Sequence, residues 1–149
     1  MVKVPFTAEA IGTYIFAGPD TLEDPRCTGE LSAWRAIVEA HGTGDPVGDF
    51  TVYFDFCGDM ESHYGNGEAY LVDESNDTLF LEVSGQVLDG RLDSHPEYVV
   101  SYWKDNIGIG GGTGKYADAS GTLISDDFNS SLDNNSHHHW TGEITMREK

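Results

Sequence analysis

The sequence has few positive charges. Its 149 residues include 8 lysines and arginines against 26 aspartates and glutamates, which gives a formal net charge of −18 with neutral histidines. A surface of this sign repels polyanionic backbones and anionic bilayers, so nucleic acid and acidic membranes are not expected partners. Solubility is the simplest explanation of the charge, and binding of cations or basic partners is the functional alternative.

Cysteine is also scarce. The chain has only Cys27 and Cys57 and no C-x-x-C pair, so a zinc site built from thiolates is not expected. One disulfide between the two residues would fit an exported protein, whereas two free buried thiols would fit a cytosolic one. The residues alone leave both alternatives open.

Long apolar runs and long amphipathic helices are absent from the sequence. We therefore expect no membrane insertion. Residues 1–16 lack an apolar run followed by a small-residue cleavage site, so they predict a first strand rather than a signal peptide. The protein is then either cytosolic or a mature form with an added methionine.

Alternation of apolar and polar residues, in contrast, runs through most of the chain. It is clearest at 49–56, where Phe50, Val52 and Phe54 share one face of a predicted strand. Such segments, separated by turn residues, predict eight strands: 6–16, 31–41, 49–56, 68–72, 77–87, 97–103, 115–124 and 138–146. The spacing predicts one all-β domain over 1–149, an antiparallel barrel or sandwich, with a mobile polar loop at 125–137.

Glycine is concentrated in one place, where it fills five of the seven positions from 108 to 114. A phosphate-binding P-loop would need glycine at Ile109 and serine or threonine at Tyr116, and neither condition holds. A dinucleotide fingerprint would need a helix next, whereas 115–124 predicts a strand. The run therefore indicates a bulged or sharply coiled strand, and no cofactor is expected.

Three segments carry a resemblance to a known family. The stretch GGTGKYADASGTL (111–123) resembles a signature of allene oxide cyclase-like and dirigent-like barrels, and 54–85 and HWTGEIT (139–145) are similar to small bacterial proteins of that type. The resemblance implies an eight-stranded antiparallel β-barrel with a central cavity. It implies no catalytic residue, because none of the plant enzymes' residues matches a position here. Dirigent-like relatives form oligomers, so a homo-oligomer is left open.

Aromatic residues and histidines on the predicted strands are the candidate site residues. In the last strand His138 and Trp140 should face inward, while His137 and His139 should face outward, where they and Glu143 could bind a transition metal. A solvated loop end is the simpler interpretation of these histidines. Asp127 and its acidic neighbours fit no EF-hand and are expected to serve turns. The candidates for lining a small-ligand pocket are Trp34, Tyr98, Tyr102, Trp103, His138 and Trp140.

Three functional hypotheses follow. The first is an exported, extracellular or periplasmic, non-enzymatic barrel, stapled by Cys27–Cys57, that binds a small apolar ligand or a partner in or at the mouth of its cavity. The second is an isomerase or cyclase of the allene oxide cyclase-like type acting on a flexible hydrophobic substrate. The third is a metal-dependent protein using His137 and His139. A cavity of drug-like size with a buried charged or amide group would favour the second, although no catalytic motif is recognisable in the sequence.

Overall fold

A computed structural model describes residues 1–18, 34–58 and 63–147. Most of the described chain is strand, and it contains one 3₁₀ turn at Gly114–Tyr116. The strands are β1 (Val2–Gly18), β2 (Trp34–Asp45), β3 (Gly48–Gly58), β4 (His63–Asp73), β5 (Thr78–Gln86), β6 (Leu88–Asp89), β7 (Val99–Trp103), β8 (Asn106–Gly112), β9 (Ser120–Ser125), β10 (Asp127–Ser130) and β11 (Asn135–Met146).

Eight of these strands form a closed antiparallel barrel. Their order around the ring is β1-β2-β3-β4-β5-β8-β9-β11, and β11 returns to β1 in a continuous register from Val2 opposite Met146 to Thr13 opposite Asn135. The prediction of an all-β chain forming a barrel of about eight strands is therefore confirmed.

The other three strands continue the barrel at one end. β9 and β10 pair with β11 in one unbroken register on either side of Asp126, and β8 and β7 lie beside them on either side of Lys104 and Asp105. β5 continues into β6 across Val87 in the same way. These short strands, β6, β7 and β10, form what we call the lip.

The core fills the interior of the ring. Alternation predicts which residues face inward, and Phe50, Val52 and Phe54 on β3 are buried while Tyr53 between them is exposed. Burial of such side chains is the main favourable contribution to folding. The fully buried apolar side chains include Phe6, Leu71, Leu79, Leu123 and Ile144.

The glycine run lies within β8 and the turn that follows it. Leu81 pairs with Ile109 and Leu79 with Gly112, so β8 contains one extra residue, and Gly111 has a φ of +91° at this bulge. A Cβ atom at Gly112 would overlap the carbonyl oxygen of Thr78. The predicted bulged strand is confirmed. The strand predicted over 115–124 begins only at Ser120, because residues 114–116 form the 3₁₀ turn.

A hydrogen-bonded plug closes the end of the barrel opposite the lip. Tyr116 is fully buried and donates its hydroxyl to Asp73 Oδ2 at 2.8 Å, and Lys115 Nζ lies 2.7 Å from the same oxygen. Burial raises the pKa of Asp73, but the hydrogen bonds from Lys115, Tyr116 and two backbone amides outweigh it and leave the pKa below its ordinary value. We call Asp73, Lys115 and Tyr116 the plug.

The predicted mobile loop needs correction, and half of the predicted disulfide lies outside the described chain. The mobile loop predicted over 125–137 is mostly strand, since Asp127–Ser130 form β10 and β11 begins at Asn135. The prediction took polar residues as a sign of a solvent-exposed loop, whereas several of them, among them Asp127 and Ser136, are buried on strands. Cys57 is buried on β3 and is not a free thiol. Cys27 lies outside the described residues, so the pairing stays a prediction.

No helix in the described part of the chain is long and apolar enough to cross a bilayer.

Candidate functional site

A row of buried polar side chains lies inside the barrel at the lip end. Alternation along β11 places Ser136, His138 and Trp140 on its inner face, and each is at most 5% exposed. β10 runs beside this part of β11, with Phe128 opposite His137, and brings Asp127 next to His138. We call Ser136, His138 and Asp127 the polar row.

The three side chains of the polar row are joined by two consecutive hydrogen bonds. His138 Nδ1 lies 2.8 Å from Asp127 Oδ2, and Ser136 Oγ lies 2.8 Å from His138 Nε2. An Nδ1–H on His138 would donate to the Asp127 carboxylate, and in that tautomer of the imidazole Nε2 accepts the Ser136 hydroxyl proton. The row thus has the connectivity serine to histidine to aspartate.

Asp127 is held by two further donors. Trp140 Nε1 donates to Oδ2 at 3.1 Å, and the backbone amide of His139 donates to Oδ1 at 2.8 Å. With His138 this makes three donors for a side chain that is only 2% exposed. These contacts fix the direction in which the carboxylate faces the imidazole.

Aromatic rings enclose the imidazole. Phe54 stacks on His138 with ring centroids 5.2 Å apart, and Trp103 approaches it edge-on at 5.9 Å. On the other side, β1 approaches at Gly12, opposite Ser136 in the strand register. A Cβ atom at Gly12 would overlap Ser136 Oγ. The aromatic rings and the β1 backbone therefore restrict how the side chains of Ser136 and His138 can turn.

Two tyrosines line a cavity beside the polar row, and each donates its hydroxyl to another side chain. Tyr14 donates to Asn129 Oδ1 at 3.0 Å, and Tyr64 donates to Asp105 Oδ2 at 2.7 Å. Burial, followed by the hydrogen bond to Asp105, raises the pKa of Tyr64. Burial likewise raises the pKa of Tyr14. Both hydroxyls therefore stay protonated at neutral pH.

The polar row faces a small cavity with mainly apolar walls. The enclosed volume of the cavity is about 50 Å³. The space between the lining atoms, including the part open to solvent at the mouth, is about 530 Å³. Tyr14 and Tyr64 contribute to the lining, as do all three residues of the polar row. The apolar part of the wall includes Val38, Phe54, Phe56, Val83, Val87 and Ile107.

Three of the six predicted pocket residues line this cavity, namely Trp103, His138 and Trp140. Tyr98 and Tyr102 do not, because Tyr102 faces the side of β7 opposite Trp103 and Tyr98 lies in the turn before β7. The ring of Tyr102 packs 5.2 Å from His95, and Tyr98 packs against Phe128. The backbone of Trp34 belongs to β2, and its side chain lies outside the described structure.

The predicted metal ligands face outward, as alternation requires. His137 stacks on Phe128 at 4.8 Å and lies 3.1 Å from both oxygens of Asp133, while His139 Nε2 is 3.5 Å from Glu9. Across the described residues, no group of three or more histidine, cysteine, aspartate or glutamate side chains is placed to hold a metal ion. Binding of a metal by His137 and His139 stays a prediction.

Sequence reasoning missed Ser136, Asp127 and both tyrosines. A signal for Ser136 was present, since it lies two residues before His138 and must share its face in a strand. Asp127 was assigned to a turn. Its role depends on the register between β10 and β11, which no local pattern reveals.

Comparisons of the chain with protein-family models, with curated proteins and with solved structures found no match. The resemblance to allene oxide cyclase-like and dirigent-like proteins therefore stays a prediction of family, while the closed barrel that it implied is shown.

Proposed function

We propose that the barrel binds a small ligand with an apolar body and one hydrogen-bonding group, and that this group meets Ser136 and His138. One observation carries the proposal: the apolar cavity ends at a buried, oriented polar row. Ligand sites in proteins typically combine apolar walls with a few placed polar groups.

The size of the cavity limits the ligand. Pockets for drug-sized molecules usually hold about 300–1,000 Å³, whereas this one holds about 50 Å³. The polar end of the ligand would therefore occupy the cavity, and its remaining part would lie in the mouth among Tyr14, Phe56 and Trp103, which also line the pocket.

The cyclase hypothesis receives less support from the same cavity. The buried carboxyl group of Asp127 lies beside Trp140, and a buried group of this kind would favour that hypothesis. The volume among the described residues, however, leaves no room to fold a flexible hydrophobic substrate inside the barrel. Binding is accordingly the function that we propose.

Ligand binding can be tested with a matched pair of substitutions. Val87 lines the cavity, and Val100 is exposed on β7 of the lip. We expect short-chain alcohols, amides and esters to change the tryptophan fluorescence and the His138 NMR signals of the wild-type protein. Val87→Trp should abolish the change by filling the mouth, and Val100→Trp should preserve it. Wild-type protein that responds to none of these compounds would contradict the proposal.

The exported location is a separate proposal that depends on the Cys27–Cys57 disulfide. Counting thiols in denatured, unreduced protein tests it directly. Two free thiols would remove the disulfide and, with it, the reason for placing the protein outside the cytosol.

A further inference from the structure

We infer that Ser136 is a nucleophile for acyl transfer, with His138 as its general base and Asp127 as the residue that orients the imidazole. The substrate class is a small ester whose acyl group fits the cavity. The inference rests on the proposed ligand site, because the ester must enter the same cavity.

The distances satisfy what nucleophilic catalysis by serine needs. The contact between Ser136 Oγ and His138 Nε2 and the contact between His138 Nδ1 and Asp127 Oδ2 are each 2.8 Å. Both lie within the roughly 2.6–3.2 Å over which a base can take a proton from a nucleophile and be oriented by a third group. Such a triad is recognised by geometry and roles rather than by fold or chain order.

The third member of the row is itself fixed in place. Trp140 Nε1 and the His139 amide both donate to Asp127, so the carboxylate cannot turn away from His138. This arrangement favours the tautomer of His138 with the proton on Nδ1, in which Nε2 can accept the Ser136 proton.

Gly12 on β1 provides a second observation, because it leaves room for the contact between Ser136 and His138 on the neighbouring β11. Its backbone does not have the positive φ that requires glycine. A Cβ atom there would nevertheless overlap Ser136 Oγ and lie 3.2 Å from His138 Nε2. The absence of a side chain on β1 thus preserves the contact between nucleophile and base.

The chemical steps balance without any oxidant or metal. Ser136 Oγ attacks the ester carbonyl carbon while its proton passes to His138 Nε2. The bond between that carbon and the leaving oxygen then breaks, and the imidazole gives the proton to the leaving alcohol. Water attacks the resulting acyl-serine, with His138 again taking and returning one proton, which releases the carboxylic acid and restores Ser136.

The rate of turnover should be low. Apart from Ser136, the described hydroxyls that line the cavity belong to Tyr14, Tyr64 and Ser125, and all three already donate to other residues. Weak stabilisation of an oxyanion costs about 10²–10³-fold in rate. Covalent labelling is therefore a better readout than steady-state hydrolysis.

The test uses a small alkyl fluorophosphonate, which forms a stable adduct with activated serines. We expect one adduct per chain by intact-mass spectrometry, mapped to Ser136 by peptide analysis. Ser136→Ala should abolish it. Ser120→Ala should leave it unchanged, since Ser120 is exposed and is not among the residues that line the cavity. His138→Ala should slow labelling by about 10²-fold or more, and added imidazole should restore part of the rate.

Mapping the adduct on the wild-type chain keeps the inference testable even if a variant does not fold. No adduct, adducts spread over several hydroxyls, or equal labelling with and without the His138 imidazole would overturn it. If ligands still change the tryptophan fluorescence when labelling fails, the acyl-transfer inference falls and the proposed binding function stands. If Ser136 is labelled but no ligand binds reversibly, the proposed function falls and the inference stands.

Discussion

Asp127 is the residue on which the candidate site depends most. It is almost fully buried and receives three donors, from His138, Trp140 and the His139 backbone. A buried carboxylate is costly unless its oxygens are hydrogen-bonded, and its removal leaves its donors unpaired. The residue therefore links the stability of the lip end to the orientation of the imidazole.

Replacing this carboxylate should destabilise the protein. We expect Asp127→Ala to lower the free energy of unfolding by about 3–5 kcal/mol, because it leaves three buried donors without an acceptor. Urea unfolding followed by circular dichroism measures the change.

The preceding residue, Asp126, provides the matched control. Asp126 is exposed and lies 3.4 Å from Lys104 Nζ and 3.6 Å from His95 Nε2. Surface ion pairs contribute little, so Asp126→Ala should cost no more than about 1 kcal/mol. Equal losses for the two variants would show that the hydrogen bonds to Asp127 do not carry the stability assigned to them.

At the scale of elements, the bulge in β8 distinguishes glycines that look alike in the sequence. A Cβ atom at Gly112 would overlap the Thr78 carbonyl, whereas one at Gly110 would make only ordinary contacts of 3.9–4.0 Å. Gly112→Ala should therefore destabilise the barrel by about 1–3 kcal/mol. Gly110→Ala should be neutral or stabilise it by up to about 1 kcal/mol. Thermal unfolding of the pair measures both, and the reverse order would contradict the bulge.

The plug predicts a pH dependence. Folding lowers the pKa of Asp73 below its ordinary value of 3.8, so its contribution to stability is fully present above that value. As the pH falls, the unfolded chain takes up a proton first, and the contribution is lost until the pH passes the folded pKa. The wild-type protein should then lose stability more steeply than Asp73→Asn as the pH falls from about 5 to about 3.

Urea midpoints at several pH values measure this difference. Asp118→Asn is the control, because Asp118 is exposed and bonds only the exposed Arg147 among the contacts described. It should keep the steep loss of the wild-type protein. Parallel curves for the wild-type protein and Asp73→Asn would mean that the plug does not contribute in this way.

At the scale of the whole molecule, the net charge of −18 opposes compaction. Raising sodium chloride from about 0.01 M to about 0.5 M shortens the screening length several-fold, so we expect the free energy of unfolding to rise by on the order of 1 kcal/mol. A triple variant of exposed residues, Glu9→Gln, Glu74→Gln and Glu97→Gln, should show a smaller rise. Stability that does not change with salt in either protein would contradict the argument.

The fold was more predictable than the site, for a physical reason. Burial of one face leaves a period-two pattern, and this is why Phe50, Val52 and Phe54 were assigned correctly. The same rule placed His138 and Trp140 inward. The 3₁₀ turn at Gly114–Tyr116 was not visible, because Asp73, a residue far away in the sequence, stabilises it. The contact between Asp127 and His138 likewise depends on strand register, a property of two segments together.

Closure of the ring joins the two strands that are furthest apart in the chain, with Val2 opposite Met146. Loop closure over such a separation is entropically costly, so we expect this pairing to form late in folding. Gly12 belongs to one of these strands, and Ser136 and His138 belong to the other. A folding intermediate with the remaining strands already paired would thus have an open seam through the candidate site. The proposed ligand binding should then appear only with the last kinetic phase of refolding.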